Sequence, residues 1–203
     1  VGYSMDKENS EFYKDELNRL ISAEEYVLDK IEIYRETQKR KTEENPIEHC
    51  KSRIKSSKSV KNKLLKKGLE PDLQTALDNL TDIVGIRIVC GFMDSVYQVV
   101  DFIKAQREFE IIKEKDYISN PKPNGYRSYH LIVKLNTEEL DGVAVEIQIR
   151  TIALDCWASL EHQIKYKHTI KYTKTIEKEL KRCADEIASV DLTMQTIREV
   201  VRD

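Results

Sequence analysis

The stretch Val143-Ala-Val-Glu-Ile-Gln-Ile-Arg150 alternates strictly. Val143, Val145, Ile147 and Ile149 make one apolar face, and Glu146, Gln148 and Arg150 share the other. Period two predicts a strand with one side on a core. A wet outer face of an antiparallel sheet gives the same pattern. A Glu set between a Gln and an Arg also supplies a metal carboxylate or a general base. Just upstream, Tyr129 to Leu135 reads as a strand, joined to the first through the Asp141-Gly142 turn. A third run, Thr81-Asp-Ile-Val-Gly-Ile-Arg-Ile-Val-Cys90, is apolar and β-branched, hence a buried strand over Ile83 to Cys90. Core packing explains its apolar residues but not Asp82 and Arg87. A carboxylate at a strand mouth suits Mg²⁺, which takes oxygen ligands; a turn or cap residue is the alternative. Alternation puts Asp82 and Arg87 on opposite faces. They can serve one site only if Asp82 precedes the regular strand or Gly85 marks a bulge.

Around these strands the pattern turns helical. Glu11 to Arg40 carries an apolar stripe of Tyr13, Leu17, Leu20, Ile21, Leu28, Ile31 and Tyr34, and Asn45-Pro46 ends it. Ile47 to Lys55 is a short strand, Ser59 to Lys67 a basic helix stopped by Gly68, and Asp72 to Asn79 a short helix. Asp94 to Arg107 is a crossover helix, Phe109 to Tyr117 a strand, Asn120 to Gly125 a loop by its Pro and Asn-Gly content, and Thr151 to Lys167 a helix. Ile176, Leu180, Cys183, Ile187, Val190, Met194, Ile197 and Val201 recur in steps of four and three, a heptad seam that pairs two helices or packs back on the first helix. The expectation is a single α+β domain over 1–203: a helical arm at 11–45, a core at 46–168 and a C-terminal helix at 172–203.

Composition narrows the classes. Of 203 residues, 40% are hydrophobic, which excludes a disordered chain, and 34% are charged. The net charge of −2 makes any anion site local. No apolar run has the roughly 18 residues of a membrane span, and Val1 to Ser10 lacks a signal-peptide core. Cys50, Cys90, Cys156 and Cys183 show no Cys-x-x-Cys spacing, so buried free thiols and a cytoplasmic setting are expected.

Lys51 to Lys67 holds eight basic residues and no acidic one. Arg53 and Lys55 share a strand face, and Lys63 on the next helix would join them around a polyphosphate. A solvated helix face, or contact with an RNA backbone, would use the same run. Lys122-Pro-Asn-Gly-Tyr-Arg-Ser-Tyr-His130 combines a tight loop, a cation, an aromatic and a histidine. Tyr126 could stack on a base while Lys122 and His130 meet phosphates; a hairpin loop with a packed Tyr and a hydrogen-bonded His is the alternative.

As an ordered set, Ser52-Arg-Ile-Lys55, Thr81-Asp-Ile-Val-Gly-Ile-Arg-Ile88, Asn124-Gly-Tyr-Arg-Ser-Tyr-His130, Val145-Glu-Ile-Gln-Ile-Arg-Thr151 and Trp157-Ala-Ser-Leu-Glu-His162 with Tyr166-Lys167 resemble the synthetase domain of the RelA/SpoT family. The resemblance spans residues 45 to 168. It implies a nucleotidyltransferase-like mixed sheet packed by helices, and transfer of pyrophosphate from ATP to the 3′-hydroxyl of GDP or GTP. It implies Mg²⁺ on Asp82 and Glu146, with Glu146 also accepting the hydroxyl proton. Arg53 and Arg87 would sandwich adenine, and Lys55, Lys63 and Ser59 would hold the ATP phosphates. Tyr126 would stack on guanine; Lys122, Asn124, His130 and Gln148 would position the acceptor, with Asp155 on a guanine-facing helix. Tyr129 stands where many members carry Leu. Length points to the synthetase-only branch, whose members form homotetramers through helical arms.

Two rivals remain at this level. An RNA-binding module explains the basic run but not Asp82 and Glu146, which repel phosphates unless a metal intervenes. A regulatory nucleotide-binding relative without catalysis would not need the carboxylate pair.

Overall fold

The computed structural model describes residues 7–42, 44–167 and 174–202; the side chains of 165–167, Tyr166 and Lys167 among them, the extreme N-terminus and the start of the 172–203 segment lie outside the described residues. Five strands form one sheet in the order β1-β2-β5-β4-β3. They are β1 (Ile47–Ile54), β2 (Val84–Cys90), β3 (Phe109–Asp116), β4 (Tyr129–Leu135) and β5 (Ala144–Thr151). Only the β2–β5 pair is parallel. This is the mixed α+β architecture expected from the alternating segments.

The expected first helix is two, α1 (Lys7–Tyr13) and α2 (Glu16–Thr42). The break is at Lys14, whose φ of 49° is left-handed. Bending there buries Tyr13 and lets its hydroxyl donate to the Lys55 carbonyl at 2.5 Å. The helix α2 lays Leu17, Leu20, Val27, Ile31 and Tyr34 on the sheet beside α5 (Met93–Lys104), where Tyr34 stacks on Phe102 at 4.2 Å. Both helices cover the face carrying Val84, Ile86, Ile88, Leu131, Val133, Val145, Ile147 and Ile149, all buried. One face is therefore core, and the opposite face is left for chemistry. At its margins stand α3 (Ser57–Lys66), α4 (Leu73–Asn79), α6 (Ile152–Lys167) and α7 (Lys174–Arg202). Tyr129 keeps its ring in the core and points its hydroxyl to Glu114 at the sheet edge, so the larger side chain finds a polar exit.

The heptad seam divides in two. Leu180 and Ile187 pack on the Trp157–Ala158–Ala184 cluster within the chain. Val190, Met194, Ile197 and Val201 are at least half exposed. What turns inward in their place is Ala184, Asp191, Gln195 and Arg198, because α7 docks through polar contacts: Gln195 accepts from the Asp94 backbone amide at 3.0 Å, and Arg198 meets Asp94 at 2.5 Å. Asp191 is buried and accepts from Thr151 Oγ1 at 2.5 Å. Burial pushes its carboxyl above the ordinary value, against the Thr151 hydrogen bond. A carboxyl raised on folding contributes fully below its unfolded value, and that contribution is lost as pH rises through the folded value. At neutral pH the raised carboxyl of Asp191 is a cost. Asp191→Asn is expected to raise the melting temperature by roughly 2–5 °C at pH 7.5 and to give no gain near pH 4. Calorimetry at the two pH values checks this; an equal gain at both would remove the ionisation as the cause.

Candidate active site

Strand register assembles the open face. Arg53 on β1, Gly85 on β2, Glu146 on β5 and Ile132 on β4 lie in one row across the sheet. Lys51, Arg87, Gln148, His130 and Lys115 make the next. The pairing of Gly85 with Arg53 and Glu146 is regular, so no bulge operates there. Asp82 instead precedes β2, the first of the two arrangements the sequence allows. A Cβ at Gly85 would make only ordinary contact, 3.9 Å from the Arg53 carbonyl.

Two cavities open on this face. One of about 210 Å³ is lined by Lys51, Arg53, Asp82, Arg87, Glu146 and Gln148, among others. The second, of about 240 Å³, is lined by Lys113, Lys115, Tyr117, Lys122, His130 and Glu146, with Ile132. Glu146 is common to both.

In the first lobe, Lys55 Nζ and Lys63 Nζ both donate to Asp82 Oδ2, the latter at 2.6 Å. Burial alone would raise the Asp82 carboxyl, but these two ammoniums outweigh it and hold it below the ordinary value. Asp82 Oδ1 is buried and has no partner. An ionised carboxylate with one orphaned oxygen, in a lobe that Glu146 also lines, fits a divalent cation taking two protein oxygens and the rest from phosphate and water. Among the described residues no cluster of three or more His, Cys, Asp or Glu could hold a metal ion by itself. Lys55 lies just past β1, its amide bonded to the Ile83 carbonyl at 2.8 Å, and so turns to Asp82 instead of continuing the Arg53 face. Ser59 is exposed in the first turn of α3; its amide and hydroxyl meet Ser56 Oγ at 3.4 and 2.8 Å, and it lines neither lobe.

Beside the second lobe Tyr126, which packs on the Trp157–Ala158–Ala184 cluster, meets Tyr117 and His130 of the lobe wall edge to face, the three ring centres 5.2–6.1 Å apart. Lys122 Nζ lies 4.6 and 4.7 Å from the centres of the Tyr117 and Tyr126 rings. Tyr126 Oη accepts from Arg150 Nη2 at 2.7 Å and lies 2.8 Å from His130 Nε2. A phenol that accepts from Arg150 and donates to Nε2 corresponds to a neutral His130 with its ring proton on Nδ1. Nδ1 faces Glu146 Oε1 at 3.9 Å. Burial, then Arg150, Lys122 and Lys115, push the His130 pKa down to about 3. At neutral pH it is therefore uncharged, and on β4 it can meet a phosphate only as a hydrogen-bonding group.

Asn124 ties the loop to α6: its Nδ2 donates to Glu161 at 3.2 Å and its Oδ1 accepts from the Tyr126 amide at 3.2 Å. Gly125 has φ of 89°, and a Cβ there would come within 2.6 Å of Ala184 Cβ. Only glycine lets the loop lie this close against α7. Gln148 donates to Glu146 Oε2 at 3.2 Å and accepts from Arg150 Nη2 at 2.8 Å, so it orients the carboxylate. Asp155 reaches neither lobe. It is buried, 3.0 Å from Arg150 Nη1 and 3.2 Å from Arg87 Nη1.

The sequence reading missed Lys113, Lys115 and Tyr117, which register brings beside His130 and Ile132. Their alternation along one strand was the available signal. It also gave no role to Arg150, which the structure makes the buried centre of the site's hydrogen bonds.

Comparison with known proteins agrees with this geometry. A model of the region found in RelA/SpoT proteins matches residues 52–171. Over 160 residues the chain is 46% identical to the GTP pyrophosphokinase YwaC of Bacillus subtilis, covering 77% of this chain and 76% of that protein. The crystal structure of small alarmone synthetase 1 from Bacillus subtilis bound to its product pppGpp superposes with a TM-score of 0.82 at 31% identity, covering 98% of this chain and 100% of that one. The AMPCPP-bound structure of small alarmone synthetase 1 gives 0.74 at 29% identity, over 94% and 97%. The likeness to these structures runs through the helices that flank the sheet as well as through the sheet, and with the matched segment holding Arg53, Asp82, Tyr126 and Glu146 it establishes that this chain belongs to the RelA/SpoT family.

Proposed function

We propose that this protein transfers the β,γ-pyrophosphate of ATP to the ribose 3′-hydroxyl of GDP or GTP, yielding AMP and a 3′-pyrophosphorylated guanosine nucleotide. The observation that carries the reading is Glu146: one carboxylate forms the wall between a lobe flanked by Asp82, Lys55 and Lys63 and a lobe lined with aromatic rings and lysines. Relatives solved with AMPCPP and with pppGpp support one nucleotide for each lobe.

In this reading Arg53 and Arg87 flank the adenine, and Lys55 and Lys63 exchange Asp82 for the ATP phosphates. Tyr126, beside Tyr117, offers a ring to guanine. Lys122, with Lys113 and Lys115, draws the acceptor's phosphates. His130, neutral and protonated at Nδ1, donates a hydrogen bond at the boundary between the lobes. Glu146, held by Gln148, accepts the proton of the 3′-hydroxyl as its oxygen attacks the β-phosphorus and AMP leaves. Asp82 and Glu146 would hold Mg²⁺, which supplies charge neutralisation for two polyphosphates that otherwise repel. Holding both substrates in line supplies a further large part of the rate. The test is incubation with ATP, GDP and Mg²⁺, followed by analysis for AMP and the 3′-pyrophosphorylated product; no AMP above the protein-free control overturns the assignment.

The basic run divides in a way that disfavours the RNA reading. Lys55 and Lys63 face Asp82, Lys61 lies over the Phe12 ring and Lys67 meets the Asn79 carbonyl, while Lys58 and Lys66 are exposed. Salt-sensitive RNA binding without nucleotide turnover would restore it. All four cysteines are unpaired, but only Cys90 is buried and Cys156 and Cys183 are exposed, against the expectation of buried thiols; free thiols and the supply of ATP and GTP fit a cytoplasmic enzyme, and no helix among the described residues is long and apolar enough to cross a membrane.

The outward stripe of α7 supports self-association, with a tetramer as the expected form. Val190 and Met194, 59% and 52% exposed, are better probes than Ile187, which packs inside the chain. Val190→Glu with Met194→Glu is expected to at least halve the molar mass in light scattering while circular dichroism stays unchanged. An unchanged mass would place the subunit contact elsewhere.

A further inference from the structure

Arg150 lies at the end of β5 on the open face, yet it is only 4% exposed. Its guanidinium is engaged on every side: Nη1 with Asp155 Oδ1 at 3.0 Å, Nη2 with Tyr126 Oη at 2.7 Å and Gln148 Oε1 at 2.8 Å, and Nε with Ser128 Oγ at 3.3 Å. Asp155 Oδ1 is also the atom that meets Arg87 Nη1 at 3.2 Å. One carboxylate oxygen therefore serves two guanidiniums that repel each other. Arg87 belongs to the first lobe, and its Nε is buried without a partner. Arg150 lines neither cavity but grips the hydroxyl of Tyr126, which lies 2.8 Å from Nε2 of His130 in the wall of the second. Away from the shared wall of Glu146, Arg87 and Arg150 are joined through one Asp155 oxygen whose charge is divided between them.

We propose that Asp155 is a positioning residue that couples the two nucleotide lobes, Arg87 acting on one side and Arg150 with Tyr126 on the other. An aromatic base laid on Arg87 gives that guanidinium a new partner and draws it from Asp155. The whole carboxylate charge then falls to Arg150, whose hold on the Tyr126 hydroxyl and on Gln148 stiffens. Occupation of the ATP lobe thus prepares the acceptor lobe, and by linkage the acceptor tightens ATP by the same factor. The identity of the two ligands rests on the proposed function; the bridge itself rests on the geometry.

The experiment is calorimetric titration of GDP into the protein alone and into protein saturated with Mg²⁺ and α,β-methylene ATP, in which a P–C bond replaces the bond that breaks. The wild type is expected to bind GDP at least about fivefold more tightly in the second case. In Asp155→Asn, and in Tyr126→Phe, the ratio of the two affinities should fall to within about twofold of one. A residue that only supports the fold changes each affinity but leaves the ratio. Tyr126→Phe keeps the ring and removes only the hydroxyl, so it carries the test if Asp155→Asn does not fold. A wild-type ratio of one, or an undiminished ratio in Tyr126→Phe, overturns the coupling. A wild type that shows the ratio but releases no AMP from ATP and GDP overturns the proposed reaction and leaves the coupling standing.

Discussion

Glu146→Gln is expected to lower AMP release from ATP and GDP by about 10²-fold or more while leaving the protein folded and able to bind each nucleotide. Shape is conserved: the side chain stays in its row between Gly85 and Ile132, and the apolar side of β5 is untouched. What is lost is the proton acceptor and the negative charge on the wall common to both lobes. Binding is carried mainly by other groups, the lysines and Tyr126, so calorimetric affinities should stay within about tenfold of wild type, which is about 1.4 kcal/mol. The loss should therefore appear in kcat. If the variant keeps most of the wild-type rate, Glu146 is a strand-surface residue and the assignment of the base is wrong. A protein that only binds nucleotides predicts no turnover in either form, hence no difference.

Asp82→Asn should be about as severe, with a different signature. Asn is nearly isosteric and the position precedes the regular strand, so the melting temperature should move by no more than about 3 °C. The rate at ordinary Mg²⁺ should fall at least about a hundredfold. The carboxylate that holds Lys55 and Lys63 would be gone. Those two cations then face the ATP phosphates without competition, and ATP affinity measured without metal should rise, not fall. Near-normal activity at ordinary Mg²⁺ would rule out Asp82 as a metal ligand. Weaker metal-free ATP binding would mean that Asp82 serves to position the two lysines.

The sequence alone determined which strands exist and which way they face. Period two in Val143 to Arg150 needs no tertiary information: successive side chains of an extended chain point to opposite sides, and only one side of this one is apolar. The same rule makes Ile83 to Cys90 a buried strand and narrows Asp82 to two placements. The ordered motifs made the family legible, because each is a short segment whose residues act locally. Helix ends and faces were read less well. The break at Lys14 follows from burying Tyr13 against Lys55, a contact across 42 residues that local periodicity does not contain. On α7 the seam was read by hydropathy, but the face that docks carries Asp191, Gln195 and Arg198, whose partners Thr151 and Asp94 are fixed by the rest of the fold. Only tertiary structure could join β2 to β5 in parallel. That pairing sets Arg87 beside Gln148 and Glu146 beside Gly85, residues some sixty positions apart in the chain. Only tertiary structure, too, could show Asp155 between two arginines and His130 stripped of charge. A side chain's identity states what it can do in water; its burial and its neighbours decide which of those things it does in the protein.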